Sequence, residues 1–198
     1  MAEQVPFIGL TGGLGAGKST ALAALQRLGA ETISSDEIVH ELYGGEQLRA
    51  AVVGRWGEEV APGGVVDRAA VAQRAFAGAA ERRWLEQQIW PLVGVRVAAW
   101  LQHAREREPS PRAAVVEVPL LFEAGLEGLY DATIAVIADE QLRAERAGGR
   151  GHEAIGERDA RQLPQEEKAR RATFVVQNDG TIEDLERQLS AVLAKLSG

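Results

Sequence analysis

The chain contains no cysteine. Disulfides, thiolate metal sites and thiol nucleophiles are thereby excluded, and a reducing compartment suits such a composition. Lysine is scarce: Lys18, Lys168 and Lys195 are the whole set, and arginine supplies the rest of the 22 cationic residues. The plain reading of that bias is genomic base composition or a heat-tolerant lineage. The functional reading is bidentate phosphate binding, so each arginine is judged by its position. Against 29 acidic residues the net charge is −7, which argues against nucleic acid or an acidic membrane as partner, since both require a broad basic surface. No apolar stretch approaches the roughly 18 residues of a membrane span. No basic segment leading into an apolar run opens the chain, so no secretory leader is expected and the protein reads as soluble and cytoplasmic. Repeats and low-complexity linkers are absent too. What remains is an ordinary globular composition, 45% hydrophobic over 198 residues, long enough to bury a sizeable core.

Hydrophobic periodicity predicts alternating strands and helices. Val5 to Leu10 reads as a buried strand closed by glycines, and Ser19 to Leu28 as a helix with Ala21, Leu22, Leu25 and Leu28 on one face, stopped by Gly29. Short strands are expected at Ala30–Ile33, Ala113–Val118, Asp131–Ala138 and Thr173–Val176. The stretch from Asp36 to about Arg107 is mostly helical, broken at Gly57–Gly64 and kinked near Pro91. An Arg-rich helical stretch from Glu140 to Arg171 is interrupted at Gly148, Gly149 and Gly151. An amphipathic helix opens at Thr181, with Asp184 placed to cap it. The pattern is that of an α/β fold with a five-stranded parallel sheet between helical layers.

The chemistry begins at Gly12-Gly13-Leu14-Gly15-Ala16-Gly17-Lys18-Ser19, which satisfies G-x-x-x-x-G-K-[ST] between a strand and a helix. Glycines let backbone N–H groups of Gly13, Leu14, Gly15, Ala16 and Gly17 close around an anion. The helix N-terminus adds a favourable dipole. Lys18 reaches β- and γ-phosphates, Ser19 ligates Mg²⁺, and Thr20 adds a hydroxyl to the α-phosphate. This predicts binding of ATP with Mg²⁺. A GTP switch would carry a base-reading Asn-Lys-x-Asp, which is missing. A motor or transporter ATPase would be larger, with a strand ending Asp-Glu, whereas here the third strand ends Val116-Glu117-Val118-Pro119. Size and the arginines after the fourth strand favour a small-molecule kinase with a mobile lid that excludes water. Arg146, Arg150, Arg158 and Arg161 are its candidate arginines; a solvated charged helix is their plain alternative.

Several strings, in order, resemble the dephospho-CoA kinase family across nearly the whole chain. Ile8 to Thr20 looks like its opening strand and loop. Ser34-Ser35-Asp36 occupies its Asp-Ala-Asp segment, and Val66-Asp67-Arg68 with Phe76 its Asp-Arg…Phe segment. Leu85-Glu86…Ile89-Trp90-Pro91 matches its Leu-Glu…His-Pro segment. Val118-Pro119-Leu120-Leu121-Phe122-Glu123 is the most family-specific string. Arg146-x-x-x-Arg150 resembles the start of its lid, and Gln162-Leu163-Pro164, Lys168, Ala172 and Asn178 fall on its C-terminal pattern.

The resemblance implies a P-loop NTPase three-layer sandwich of the nucleoside monophosphate kinase type. Its parts would be a core of residues 1–35, 111–145 and 170–198, a helical acceptor-binding insertion at 36–110 and a lid at 146–169. It implies ATP-dependent phosphorylation of the ribose 3′-hydroxyl of dephospho-CoA, by a monomer or small homo-oligomer. Asp36 would orient that hydroxyl or take its proton; a helix-start acid stabilised by the dipole is its plain alternative. Arg68 would hold a substrate phosphate, and Thr11, Pro119, Leu120, Phe122 and Glu123 would shape the acceptor's site. For Leu120 and Phe122 core packing competes with that role. Glu117 would hold a Mg²⁺-bound water, or else form a salt bridge. Arg150 first, and Arg146 second, would stabilise the transferring charge, while Asn178 would lie near adenine or simply make a turn.

The sequence departs from the family pattern at three places. Ser34 stands where the family has an acid, so no carboxylate pair is kept. Trp90 stands where it has histidine, so a histidine contact does not carry over and packing is the expected role. The stretch between Arg150 and Gln162 is a few residues short, which would loosen closure. None of these touches Lys18, Ser19 or Asp36, so activity is expected to survive. The competing readings are another small-molecule or nucleoside monophosphate kinase, and a non-catalytic ATP-binding module.

Overall fold

The computed structural model describes residues 4–148 and 162–196. Five strands, β1 (Phe7–Gly12), β2 (Glu31–Ser34), β3 (Ala114–Glu117), β4 (Ala132–Ile137) and β5 (Phe174–Gln177), pair in parallel in the order β2-β3-β1-β4-β5. β1 is central because it is apolar on both faces. Ile8 and Leu10 point to one side, while Gly9 and Thr11 point to the other, and all four are buried. The chain leaves β1, skips a place to form β2, and returns as β3 between them before crossing to β4. The crevice at such a reversal opens beyond the carboxyl end of β1, where open α/β sheets bind ligands.

Helix α1 (Lys18–Arg27) and helix α8 (Ile182–Leu196) cover the Ile8–Leu10 face. Ala21, Ala24 and Leu25 form the buried stripe of α1, and Leu185, Leu189, Val192 and Leu193 that of α8. The expected cap at Thr181 is present and reciprocal. Asp184 N donates to Thr181 Oγ1 and Thr181 N donates to Asp184 Oδ2, both at 3.2 Å. On the Gly9–Thr11 face lie Leu121, Tyr130 and helix α7 (Gln165–Arg171). Burial there pushes the Tyr130 phenol up to about 12. Helix α6 (Glu140–Gly148) follows β4.

The chain forms two compact units, one of residues 1–34 and 101–198, the other of residues 35–100. The second is helical, as the sequence led one to expect. It contains α2 (Ser35–Leu42), α3 (Glu46–Trp56), α4 (Arg68–Phe76) and most of α5 (Ala79–Glu106), with two single 3-10 turns at Glu58–Val60 and Pro62–Gly64. It has its own core: Leu48 and Val52 from α3, Val71 and Ala75 from α4, Leu85 and Ile89 from α5. Trp56 meets Trp84 edge-on at 5.0 Å and gives its indole N–H to Glu81, which also takes a two-pronged contact from Arg55. Pro91 lies inside α5, which continues through it. Trp90 does not pack as expected and is 54% exposed. Leu85 and Ile89 point α5 inward, and the next residue falls about 100° around the helix, off that face.

Leu189 is fully buried whereas Leu129 is 66% exposed. Leu189→Ala is expected to cost about 2–5 kcal/mol in a urea titration, and Leu129→Ala to stay within about 0.5 kcal/mol of wild type.

Candidate active site

The P-loop runs from the end of β1 into α1. Gly17 is the N-cap of α1 at φ 91°, makes no side-chain cap, and no acid stands in the helix's first turn. The first amides of α1 therefore point at the loop's concavity with the positive end of the helix behind them. Lys18 Nζ reaches back to Gly13 O at 3.2 Å. Ser19 and Thr20 are exposed at the start of the helix.

Two side chains brace this turn from outside. Asn178 Nδ2 donates to Ala16 O at 2.9 Å, and a side chain on Gly17 would collide with that nitrogen. Arg143 Nε donates to Leu14 O at 3.0 Å, and its backbone presses on Gly15 (φ 72°), where a Cβ would lie 2.9 Å from Arg143 Cα. Glycine is thus required at 15 and 17 twice over, by conformation and by contact. Asn178 is 7% exposed, and its backbone is held on both sides: its N–H by Ile137 O at 2.9 Å, its carbonyl by Arg146 Nη1 at 3.0 Å. The carboxamide expected near adenine therefore has its nitrogen committed to the loop. Arg150 lies outside the described residues, as do Arg158 and Arg161.

Strand register aligns the acids and hydroxyls at the sheet's carboxyl edge. Glu117 stands level with Leu10 on one side and Ser34 on the other, one residue short of Thr11. After β3 the chain turns through Pro119 to Glu123. Pro119 O accepts from Thr11 Oγ1 at 3.2 Å. Leu120 is half-buried; Phe122 is 2% exposed, with the Arg171 guanidinium 4.9 Å from its ring centre. Glu123 faces inward, where its Oε1 meets Lys168 Nζ at 2.9 Å and the Leu163 amide at 2.7 Å.

In the helical unit, Asp36 is the second residue of α2, two positions beyond β2, and is exposed. Asp67 caps α4, accepting from Ala69 N at 2.9 Å and Ala70 N at 3.2 Å, so Arg68 is the helix's first residue. Arg68 Nη1 donates to His40 Nδ1 at 2.5 Å, and its guanidinium lies 5.8 Å from the Tyr43 ring centre. His40 is one turn after Asp36 on α2, so the two share a helix face.

Mg²⁺ takes hard oxygen ligands and keeps several waters beside substrate phosphates. The Ser19 hydroxyl and the Glu117 carboxylate fit that demand. Among the described residues no cluster of three or more His, Asp or Glu side chains forms a metal cage, so a fit to Mg²⁺ rests on phosphate oxygens as partners.

A dephospho-CoA kinase family profile matches residues 6–184. The chain belongs to the dephospho-CoA kinase family. It is 40% identical to the dephospho-CoA kinase of Deinococcus radiodurans over 196 residues, covering 96% of this chain and 91% of that one. A solved Thermus thermophilus structure superposes with a TM-score of 0.78 at 35% identity, covering 99% of this chain and all of the other. The dephospho-CoA kinase from Campylobacter jejuni shares the fold, with a TM-score of 0.69 at 23% identity over 96% of each chain. The P-loop kinase sandwich that the family resemblance implied is thereby the fold of this chain.

Three contacts of the candidate site were not foreseen from the sequence, which had placed Lys168 on the family's C-terminal pattern without a role. Arg143 braces the P-loop, His40 meets Arg68, and Lys168 is buried against Glu123. Only His40 carried a local signal, its spacing of four from Asp36; Arg143 acts across 129 residues of chain, and Lys168 across 49 to Pro119.

Gly17→Ala is expected to weaken ATP binding about tenfold or more by calorimetry, because both backbone strain and the clash distort the loop. Pairing it with Asn178→Ala relieves only the clash, so the double variant is expected to recover part of the affinity and not all of it.

Proposed function

We propose that this chain transfers the γ-phosphoryl group of ATP to the ribose 3′-hydroxyl of dephospho-CoA, yielding coenzyme A and ADP, in the cytoplasm. The observation that carries the reading is family membership over nearly the whole chain, together with a P-loop whose lysine, serine and bracing contacts are all in place.

In this reading the loop amides and Lys18 hold the β- and γ-phosphates, and Thr20 supports the α-phosphate. Ser19 would hold Mg²⁺ directly and Glu117 would hold it through a bound water; the ion would come with ATP and neutralise charge on its phosphates. Asp36 accepts a hydrogen bond from the acceptor hydroxyl, orients it, and takes its proton as the new bond to phosphorus forms. A carboxylate suits this because the hydroxyl is a weak nucleophile at neutral pH. Arg68 holds an acceptor phosphate, with His40 and Tyr43 steering the guanidinium. Pro119 and Leu120 meet the acceptor directly, while Thr11, Phe122 and Glu123 support that loop from behind. Arg146 and Arg150 meet the transferring charge, and lid closure keeps water from competing.

The test is ATP turnover with Mg²⁺ across an acceptor panel of dephospho-CoA, nucleoside monophosphates and shikimate. Turnover with dephospho-CoA alone is expected. Asp36→Asn should lower kcat by about 10²- to 10⁴-fold with ATP affinity unchanged. Lys18→Met should lower kcat by about 10²- to 10³-fold. Turnover with a different acceptor overturns the substrate, and tight ATP binding without turnover overturns the kinase.

A further inference from the structure

Lys168 is fully buried, at 0% exposure, although it carries an ammonium group. Such burial is expensive, and desolvation pulls its pKa below the ordinary lysine value while Glu123 pulls it back. The ammonium has three N–H donors, and three acceptors surround it: Pro119 O at 2.7 Å, Glu123 Oε1 at 2.9 Å and Thr11 Oγ1 at 3.4 Å. Each acceptor belongs to a different part of the machinery. Thr11 adjoins the first glycine of the P-loop. Pro119 begins the loop after β3. Glu123 ends that loop, and its same oxygen accepts from Leu163 N at 2.7 Å, just beyond residues 149–161. Thr11 Oγ1 also donates to Pro119 O at 3.2 Å, closing the network. A methionine would fill this space without the cost of a buried charge, so packing alone does not account for the lysine.

We infer that Lys168 is a positioning residue, which sets the acceptor loop at a fixed distance from the phosphate loop. The inference rests on the reaction proposed above. Phosphoryl transfer in line needs the hydroxyl within about 3–3.5 Å of phosphorus, and a displacement of about 1 Å costs up to about 10²-fold. One tetrahedral donor that grips the end of β1 and both ends of the acceptor loop, where Glu123 also takes the Leu163 amide, supplies that precision. Lys168 itself touches neither nucleotide nor acceptor in this role.

The experiment compares wild type, Lys168→Met, and Lys168→Met combined with Glu123→Leu, in steady-state kinetics with each substrate varied and in thermal unfolding. The single variant leaves the partly buried Glu123 carboxylate without its cation and should lose stability. The double variant removes that carboxylate and should regain it. In both, kcat/KM for dephospho-CoA is expected to fall roughly 10- to 100-fold, with ATP affinity by calorimetry within about twofold of wild type. A double variant that regains acceptor kinetics along with stability overturns the inference, for the lysine would then serve only to satisfy the acid. Equal losses toward ATP and acceptor overturn it as well. Should Lys168→Met fail to fold, Lys168→Arg carries the same expectation, because a planar fork cannot meet three acceptors set around a tetrahedral ammonium. A wild type inactive on dephospho-CoA overturns the proposed reaction itself, and with it this role; an active wild type confines failure to Lys168.

Discussion

A strand that ends in a helix must turn with its amides facing one small volume, and the rest of the site depends on that turn holding still. Backbone N–H groups bind phosphate well only when they are aimed before the anion arrives. Here the aim comes from left-handed glycines and from side chains outside the loop. Asn178 and Arg143 each take a loop carbonyl, Ala16 O and Leu14 O, and so fix the peptide planes whose N–H groups point inward. Arg146 in turn holds the carbonyl of Asn178. The segment after β4 and the turn after β5 thus serve the loop after β1. The sheet order makes this possible, because β4 lies next to β1 and β5 next to β4.

Polar groups on the opposite face do similar work under a harsher dielectric. Thr11, Pro119 and Glu123 converge on the Lys168 ammonium, which is sealed beneath α7. Apolar contacts have no preferred direction and tolerate a small slip better than a hydrogen bond does. A buried charge with all its donors used tolerates it least, since any slip breaks a bond that water is not there to replace. The exposed ion pairs elsewhere, such as Arg27–Glu186 and Arg187–Asp184, compete with solvent and are worth little by comparison.

Much of the fold could be read along the chain. All five strands fall within a residue or two of their expected limits, and residues 35–100 are helical with a break at Gly57–Gly64, as expected, although the division at residues 43–45 and 77–78 was not foreseen. The causes are local: β-branched runs bounded by glycine and proline, apolar residues at helical spacing, and a Thr-Asp capping box at Thr181. Trp90 was read differently from its structure because its position around α5 depends on which neighbours fix the inward face. That face is set by Leu85 and Ile89 meeting a core drawn from three helices.

The candidate site divides along the same line. Lys18, Ser19 and the glycines were legible because a phosphate cradle is one continuous turn, whose spacing is dictated by backbone geometry. Scarcity of lysine also carried information in retrospect: in a chain that favours arginine, one of three lysines lies in that cradle and another is buried in full. By itself the sequence determined the nucleotide loop, the succession of strands and helices, and the first acid after β2, all features of contiguous residues. Only the tertiary structure decided that Arg143 braces Leu14, that Arg68 meets His40, and that Lys168 joins Thr11 to Glu123. Those pairings lie 28 to 157 residues apart. Hydrogen bonds at such separations follow from how the sheet and helices pack, which no local pattern encodes.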